Sequence, residues 1–209
     1  IEDGKVVYDR STGMANIAKK TAFSNQTQFA LASGSKQFTA MAILLLEESG
    51  KLNSLDEIRN YIPELPDYPK AITINHLLTH TSGIRDHITM LDWDNNQKQQ
   101  FYHFAGTLKC LQKYNGISFE PGEDFAYSNT GFVLLALIVE RVSGIPFEQF
   151  VQENIFTPLE MNDSKFSFKG KSGELGNTAS YNWKKNKFIR NQNNYVNALG
   201  ATGVYTTLT

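Results

Sequence analysis

One stretch of the chain is far more apolar than the rest and constrains the fold most strongly. The apolar side chains of residues 33–48 are Phe38, Ala40, Met41, Ala42, Ile43, Leu44, Leu45 and Leu46. Apolar side chains on nearly every face are typical of a helix that is buried in a core. Gly50 follows at the position where glycine commonly ends a helix. We therefore predict a buried central helix over residues 33–48.

Weaker patterns predict further helices. Thr73 has the side chain that an N-cap needs, ahead of a short helix that runs through Leu78. A second apolar helix is predicted over residues 131–144, and a third over residues 147–154, because glycine and proline separate the two runs. The polar stretch 86–113 is also predicted to be helical.

The charge and the apolar content of the chain exclude several classes of partner. The chain has 209 residues, 41% of them hydrophobic, and fits one globular domain or two small interlocked ones. A formal net charge of -1 gives no basic footprint for nucleic acid or an anionic membrane surface. No run approaches the roughly 20 apolar residues that a membrane-spanning helix needs. The single cysteine, Cys110, is interpreted as a small core residue and not as a nucleophile.

Both ends of the chain look incomplete. Asp3-Gly4 is a hairpin turn signal, and Lys5 to Tyr8 would form the outgoing strand, yet only Ile1 and Glu2 precede the turn. Residues 203–209 stop without a helix or a cap to close them. We therefore expect a sheet that is truncated at both ends of the chain.

Ser33 and Lys36 stand at the start of the predicted apolar helix. Residues three apart share one face of a helical turn, so a direct hydrogen bond between hydroxyl and amine is possible. The helix N-terminus favours a developing alkoxide, and partial burial favours a neutral amine that can accept a proton. The same spacing is expected about once by chance in such a chain, and an N-cap serine beside an exposed lysine is the simpler alternative. The apolar setting favours the catalytic interpretation.

Two more polar side chains precede the second apolar helix. Tyr127 and Asn129 are two residues apart, and alternate residues of an extended segment point to the same side. Tyr127 would exchange a proton with Lys36, and Asn129 would hold a substrate amide. The same spacing recurs at Tyr195-Val-Asn197, in a polar loop that is a poorer candidate.

Taken together, these motifs resemble the class C beta-lactamase family in their order and spacing. The matching segments are Phe29-Ala-Leu-Ala-Ser-Gly-Ser-Lys-Gln-Phe-Thr39, Leu77-Leu-Thr-His-Thr-Ser-Gly83, Phe119-Glu-Pro-Gly122 and Tyr127-Ser-Asn-Thr-Gly131. This family of serine beta-lactamases and penicillin-binding-protein-like hydrolases includes D-alanyl-D-alanine carboxypeptidases, D-amino-acid peptidases and esterases. The resemblance implies that Ser33 forms an acyl-enzyme, that Lys36 and Tyr127 share the base role, and that Asn129 positions the ligand.

The resemblance also implies an α+β fold of the beta-lactamase/transpeptidase type. An antiparallel sheet from residues 1–60 and 166–209 would pack on the Ser33 helix, and a mainly helical part, residues 61–165, would form the other wall of the site. The family's third motif, Lys or His followed by a small residue and Gly, is unmatched. Lys171-Ser-Gly173 has the letters but comes too early in the order. The strand with that motif would supply one backbone donor to the oxyanion hole, and the amide of Ser33 the other.

A zinc site fits the sequence less well. His76 and His80 have the spacing of a zinc-binding helix, but Leu77 stands where such a protease needs glutamate, and no third ligand is evident. We expect His80 to hold the loop from Thr79 to Gly83 instead. No Gly-x-Ser-x-Gly elbow occurs, and neither a metal nor another cofactor is expected.

The sequence therefore predicts a serine hydrolase that acts through an acyl-enzyme on amide, beta-lactam or ester carbonyls. D-amino-acid peptides or esters are the expected substrates, and the partner is a small molecule or a peptide. The alternative is a penicillin-binding sensor or binding protein that is acylated without turnover, which the unmatched third motif favours. Wall-directed relatives imply an extracytoplasmic location.

Overall fold

The computed structural model describes residues 1–93, 104–166, 178–190 and 198–208. Within these ranges the chain forms helices and short antiparallel strands, which confirms the predicted α+β class. One apolar core includes side chains from residues 42–46, 132–139 and 198–204, so distant parts of the chain share it.

The first helix, α1 (Lys36–Glu48), follows a 3-10 turn over Ala32–Ser35, and together they cover the predicted range. The prediction that this helix is buried on nearly all faces is wrong. Ile43 is fully buried, but Met41 is 44% exposed and Leu44 is 50% exposed. Apolar composition indicates that a helix can be buried but not how many neighbours it has. Among the described residues, α1 packs against later helices on one side only.

The most enclosed helix is α5 (Asn129–Ser143), which contains the second predicted apolar run. Every residue from position 130 to 139 is buried. Ser128 caps its start, because the Ser128 side chain accepts a hydrogen bond from Gly131 N. Gly144 ends it in the left-handed conformation, with φ of 76°, as the sequence predicted. Helix α5 is therefore the central element against which α1 and the short helix Ile74–Leu78 pack.

The other helices are short. They are α2 (Ile74–Leu78), α3 (His87–Trp93), α4 (Phe104–Lys113) and α6 (Phe147–Val151), and a π-helical turn, Gln152–Phe156, continues α6. The predicted cap at Thr73 is confirmed, since its side chain accepts from His76 N while the His76 side chain accepts from Thr73 N. The helical prediction for residues 86–113 is confirmed by α3 and α4, and residues 94–103 lie outside the described ranges.

In the described ranges, no single helix is long and apolar enough to cross a membrane. Helix α5 and the following segment Phe147–Phe156 reach the required length and composition only as a pair, bent by 80°.

The strands are antiparallel and short. They are β1 (Met14–Asn16), β2 (Thr21–Ala22), β3 (Phe29–Ala30), β4 (Lys165–Phe166), β5 (Tyr181–Lys184), β6 (Lys187–Arg190) and β7 (Val204–Thr206). β1 pairs with β2 and β5 pairs with β6, while β7 lies between β3 and β4. β3 leads through Leu31 into the turn with Ser33, and Leu31 N donates to Val204 O at 2.9 Å. The three-stranded sheet therefore fixes the position of the residues that lead into α1.

The hairpin turn near the first residue forms as predicted. Asp3 and Gly4 both have positive φ, and Glu2 and Lys5 exchange two backbone hydrogen bonds of 2.9 Å. The predicted outgoing strand is wrong, because residues 6–8 pair with no strand among the described residues. A turn needs only four residues, whereas a stable strand needs a partner along its whole length.

The division into parts 1–60 with 166–209 and 61–165 stays a prediction. Helices α2 to α6 lie within residues 61–165, and the described strands lie outside that range except that β4 begins at Lys165. The shared core nevertheless joins α1 to α5, so the two parts are not separately packed.

Candidate active site

The 3-10 turn places the Ser33 hydroxyl beside the Lys36 amine. In such a turn, side chains three residues apart lie above one another, and Lys36 Nζ is 3.3 Å from Ser33 Oγ. Ala32 has a left-handed backbone with φ of 48°, a conformation that costs about 1–3 kcal/mol in a residue with a Cβ. This bend turns the chain from β3 into the helix and leaves Ser33 exposed at its start.

A second serine ties this turn to the sheet. Ser35 Oγ donates to Ala32 O at 2.7 Å and accepts from Val204 N at 3.0 Å. Ser35 is fully buried, so both of these hydrogen bonds lie away from water. The strained backbone before Ser33 is therefore held by a buried contact with β7.

Lys36 is buried, with 8% of its surface exposed, and three acceptors surround its amine. Besides Ser33 Oγ, these are Asn129 Oδ1 at 2.9 Å and the backbone oxygen of Ala201 at 3.0 Å. The amine also lies 4.8 Å from the centre of the Tyr127 ring and 5.5 Å from that of Phe132. Each of the three N–H groups of the ammonium ion therefore has an acceptor, as a buried cation requires.

Tyr127 completes the group around the serine. Its hydroxyl donates to Ser33 Oγ at 2.9 Å, although the two residues are 94 positions apart. Ser33 Oγ thus contacts both a phenol and an amine, while Asn129 reaches the same amine from the first residue of α5. The four predicted site residues, Ser33, Lys36, Tyr127 and Asn129, meet at one place.

Residues that the sequence analysis did not assign to the site support it. Asp86 accepts hydrogen bonds from Asn129 N and, at 2.9 Å, from Ile88 N. A carboxylate at the start of α5 is also favoured by the helix dipole. Ala201 was missed because a backbone oxygen has no sequence signature. Asp86 stands three residues after the matched Leu77–Gly83 motif and directly before α3. Its closeness to that motif was the sequence signal that could have assigned it to the site.

The buried His87 adjoins this support. The His87 backbone N donates to Thr130 Oγ1 at 2.7 Å, and His87 Nδ1 lies 2.8 Å from the same oxygen. Burial lowers the pKa of His87 to about 4, although Asp86 acts in the opposite direction. Its Nε2 is buried and has no hydrogen-bond partner among the described residues. His87 is therefore held neutral at the N-terminal end of α5.

The remaining candidates do not join the hydrogen bonds around Ser33, although the ring of His80 packs against that of Tyr127. Lys171-Ser-Gly173 and Tyr195-Val-Asn197 fall outside the described residues. The Nδ1 atom of His76 accepts a hydrogen bond from Thr73 N and caps α2, and the Nδ1 atom of His80 accepts one from Ser128 N. Both rings therefore bind backbone N–H groups. No group of three or more His, Cys, Asp or Glu side chains suited to a metal ion occurs among the residues described. Cys110 is buried in the core, as predicted.

Solved structures share the fold around this site. An octameric penicillin-binding protein homologue from Pyrococcus abyssi has a TM-score of 0.85 and 29% identity, and the match covers 100% of this chain and 48% of that one. A beta-lactamase/D-alanine carboxypeptidase from Pseudomonas syringae has a TM-score of 0.73 and 26% identity, over 94% of this chain and 52% of that one. The chain therefore has the fold of the beta-lactamase and penicillin-binding-protein class.

Sequence comparison identifies the family. The family model described as Beta-lactamase matches residues 1–209, and the chain belongs to this family of serine hydrolases. It is 38% identical to Penicillin-binding protein 4* of Bacillus subtilis (strain 168) over 168 residues, which are 78% of this chain and 36% of that protein. The chain thus spans about a third of this curated relative and about half of the solved structures.

Proposed function

We propose that this chain carries the nucleophile and the proton-transfer groups of a class C type serine hydrolase that forms an acyl-enzyme. The observation that carries the proposal is the position of Ser33 Oγ, 2.9 Å from the Tyr127 hydroxyl and 3.3 Å from Lys36 Nζ. A nucleophile within hydrogen-bonding distance of its base is the arrangement that activates serine in acyl transfer.

The proposed reaction has two halves. Ser33 Oγ attacks the carbonyl carbon while its proton passes to the Lys36–Tyr127 pair, which shares the base role. The pair returns the proton to the leaving nitrogen or oxygen as the C–N or C–O bond breaks, and the acyl group stays on Ser33. Water then attacks the ester, gives a proton to the same pair, and Ser33 recovers its hydroxyl.

The substrate would be held from both sides of the serine. Asn129 is proposed to position the ligand, since its side-chain NH2 group is left to donate while Oδ1 accepts from Lys36. The backbone N–H of Ser33 would donate to the oxyanion, and the second donor would come from the strand with the family's third motif. Loss of one such donor typically lowers the rate by about 10²–10³.

The proposed substrates are D-amino-acid peptides or esters, with beta-lactams as a further class. The support is the similarity to a penicillin-binding protein and to a beta-lactamase/D-alanine carboxypeptidase, each of which this chain covers only in part. An extracytoplasmic location belongs to the same proposal, on the strength of the similarity to a penicillin-binding protein. Labelling by a membrane-impermeant reagent in intact cells tests the location.

Acylation of Ser33 tests the function directly. The full-length protein is incubated with a fluorophosphonate or a penicillin and weighed by mass spectrometry, and hydrolysis is assayed with D-alanyl peptides, a chromogenic cephalosporin and a nitrophenyl ester. Ser33→Ala should lose the adduct and lower any hydrolysis by at least about 10³-fold. Ser49→Ala is the matched control, because Ser49 Oγ donates to Leu46 O at the far end of α1.

The outcomes are distinct. A penicillin adduct that forms on Ser33 and disappears with time, or hydrolysis of any of the substrates, supports a hydrolase. A penicillin adduct that persists without hydrolysis of any substrate supports the non-hydrolysing penicillin-binding sensor, whereas the fluorophosphonate adduct is stable in both cases and reports only that Ser33 is nucleophilic. Adducts that form equally on wild type and Ser33→Ala would refute Ser33 as the nucleophile.

A further inference from the structure

His80 touches the chain on both sides of Tyr127. Its backbone oxygen accepts from Ala126 N at 3.0 Å, and its ring nitrogen Nδ1 accepts from Ser128 N at 3.2 Å. The two residues that flank Tyr127 are therefore both bound to one histidine. The backbone at Tyr127 has little freedom to rotate while these two hydrogen bonds persist.

The ring of His80 also packs against the side chain of Tyr127. The two ring centres are 4.6 Å apart, and on the other sides the His80 ring contacts Phe132 at 5.2 Å and Phe125 at 5.9 Å. The backbone of His80 has a φ of 59°, a left-handed conformation that is uncommon outside glycine and in which His, Asn and Asp are enriched. From this backbone conformation the His80 ring lies against the ring of Tyr127.

Only one protonation state of His80 fits these contacts. Nδ1 accepts a hydrogen bond, so the neutral ring carries its proton on Nε2. A second proton on Nδ1 would face the N–H of Ser128, and two donors cannot bind each other. The contact with Ser128 is therefore available only to neutral imidazole.

The charged groups around the ring come from two elements. Burial lowers the pKa of His80, and the ammonium group of Lys36, on α1, lowers it further. Asp86, ahead of α3, acts in the opposite direction and is the weaker influence. Tyr127 itself is the titratable group in ring contact. The surroundings thus favour the neutral ring near neutral pH.

We propose that neutral His80 is a positioning residue that holds the Tyr127 hydroxyl at Ser33, and that protonation of His80 releases Tyr127 and switches the site off. The inference rests on the proposed function, because it needs Tyr127 to take part in proton transfer at Ser33. It adds to that function a residue that touches no substrate and a dependence of acylation on acid pH.

The test compares the rate at which a fluorophosphonate phosphonylates Ser33 of the full-length protein, with loss of fluoride, between pH 5 and pH 8 in wild type, His80→Asn and His80→Ala. Asparagine adopts the left-handed backbone and offers an oxygen close to the position of Nδ1, but it does not take up a proton in this range. Wild type should lose about tenfold in rate per pH unit below the titration of His80. The rate of His80→Asn should stay within about tenfold of the wild-type rate at pH 8. Its rate should not show the decline at acid pH, the acid limb of the pH profile, that wild type shows.

His80→Ala should be phosphonylated about 10²-fold more slowly at pH 8. The concentration of fluorophosphonate that half-saturates the reaction should change little. The buried His87 also takes up a proton in acid, so tryptophan fluorescence is recorded at each pH to separate release of Tyr127 from unfolding. If the alanine variant does not fold, His80→Asn decides the result alone. The titration of the His80 ring in wild type, followed by NMR, provides a second check because its midpoint should match that of the acid limb.

An acid limb that is unchanged in His80→Asn, or whose midpoint differs from the His80 titration, would overturn the inference while leaving Ser33 as the nucleophile. Wild-type protein in which Ser33 does not react with the fluorophosphonate at any pH would instead overturn the proposed function. The two failures are therefore distinguishable.

Discussion

Lys36 brings together the residues on which the chemistry depends. Its three acceptors are the hydroxyl of Ser33, the amide of Asn129 and the backbone oxygen of Ala201, and together they satisfy an ammonium ion. A lysine in that state has no lone pair with which to take a proton. Proton transfer from Ser33 therefore needs either Lys36 without its third proton or a route through Tyr127, and a variant that lacks the phenol distinguishes the two.

Replacement of Tyr127 by phenylalanine tests that requirement. Tyr127→Phe keeps the ring contacts with His80 and Lys36 but removes the hydroxyl that reaches Ser33 Oγ. We expect the acylation rate to fall by about 10²–10⁴ while the unfolding midpoint stays unchanged. Tyr8→Phe is the control, because Tyr8 is 74% exposed and remote from the site in sequence. Acylation of Tyr127→Phe at the wild-type rate would assign the base role to Lys36 alone.

At the scale of elements, the site is formed by residues at the N-terminal ends of α1 and α5. The 3-10 turn ahead of α1 presents Ser33, α1 presents Lys36 from its first position, and α5 presents Asn129 from its own first turn. The two helices pack together in one core, so the distance between these side chains is set by the packing behind them. Loss of core volume between the helices should therefore affect the site as well as stability.

Two neighbouring residues of α1 test this packing. Ile43 is fully buried and Leu44 is 50% exposed, so Ile43→Ala should lower the free energy of unfolding by about 2–5 kcal/mol. Leu44→Ala should lower it by less than about 1 kcal/mol, because most of its side chain already contacts water. Chemical denaturation of the full-length protein measures the free energy of unfolding of both variants. Equal losses in the two variants would show that the face with Leu44 is also covered.

At the scale of the whole molecule, the site lies where three distant stretches of the chain meet. They are the turn that precedes α1, the residues from His80 to Asp86 together with those from Tyr127 to Asn129, and the turn with Ala201, which leads into β7. The shared core and the three-stranded sheet hold these stretches together. Protonation of a buried group anywhere in this arrangement should therefore affect the stability of the entire fold.

The pH dependence of global stability follows from the buried His87. Burial holds the pKa of His87 at about 4, whereas the unfolded chain binds a proton near pH 6.5. Below pH 6.5 the unfolded state therefore takes up more protons, and stability falls as the pH falls towards 4, by roughly 3 kcal/mol in total. Denaturant titrations at several pH values should show this slope in wild type and a shallower one in His87→Asn. An unchanged slope in that variant would contradict the assignment to His87.

His76→Asn provides a comparison for the same measurement. His76 is less buried than His87, and although burial also lowers its pKa, it contributes less to the slope. Asparagine offers an oxygen where His76 Nδ1 accepts from Thr73 N, so the cap of α2 is retained. We expect most of the wild-type slope to remain in His76→Asn.

The sequence alone determined the local features of this protein. The Ser33–Lys36 spacing, the Tyr127–Asn129 pair, the Thr73 cap and the two apolar helices were all predicted, because each depends on residues within a few positions of one another. Fold class followed from the order of these motifs by resemblance. Short-range geometry of this kind is fixed by the helical and extended repeat of the backbone.

Only the tertiary structure decided which distant groups surround these motifs. The oxygen of Ala201, the carboxylate of Asp86 and the ring of His80 reach the site from positions that no local pattern links to it. The same holds for the exposed face of α1, which composition predicted to be buried. Contacts between remote residues depend on how whole elements pack, and that packing is a property of the entire core and not of any one segment.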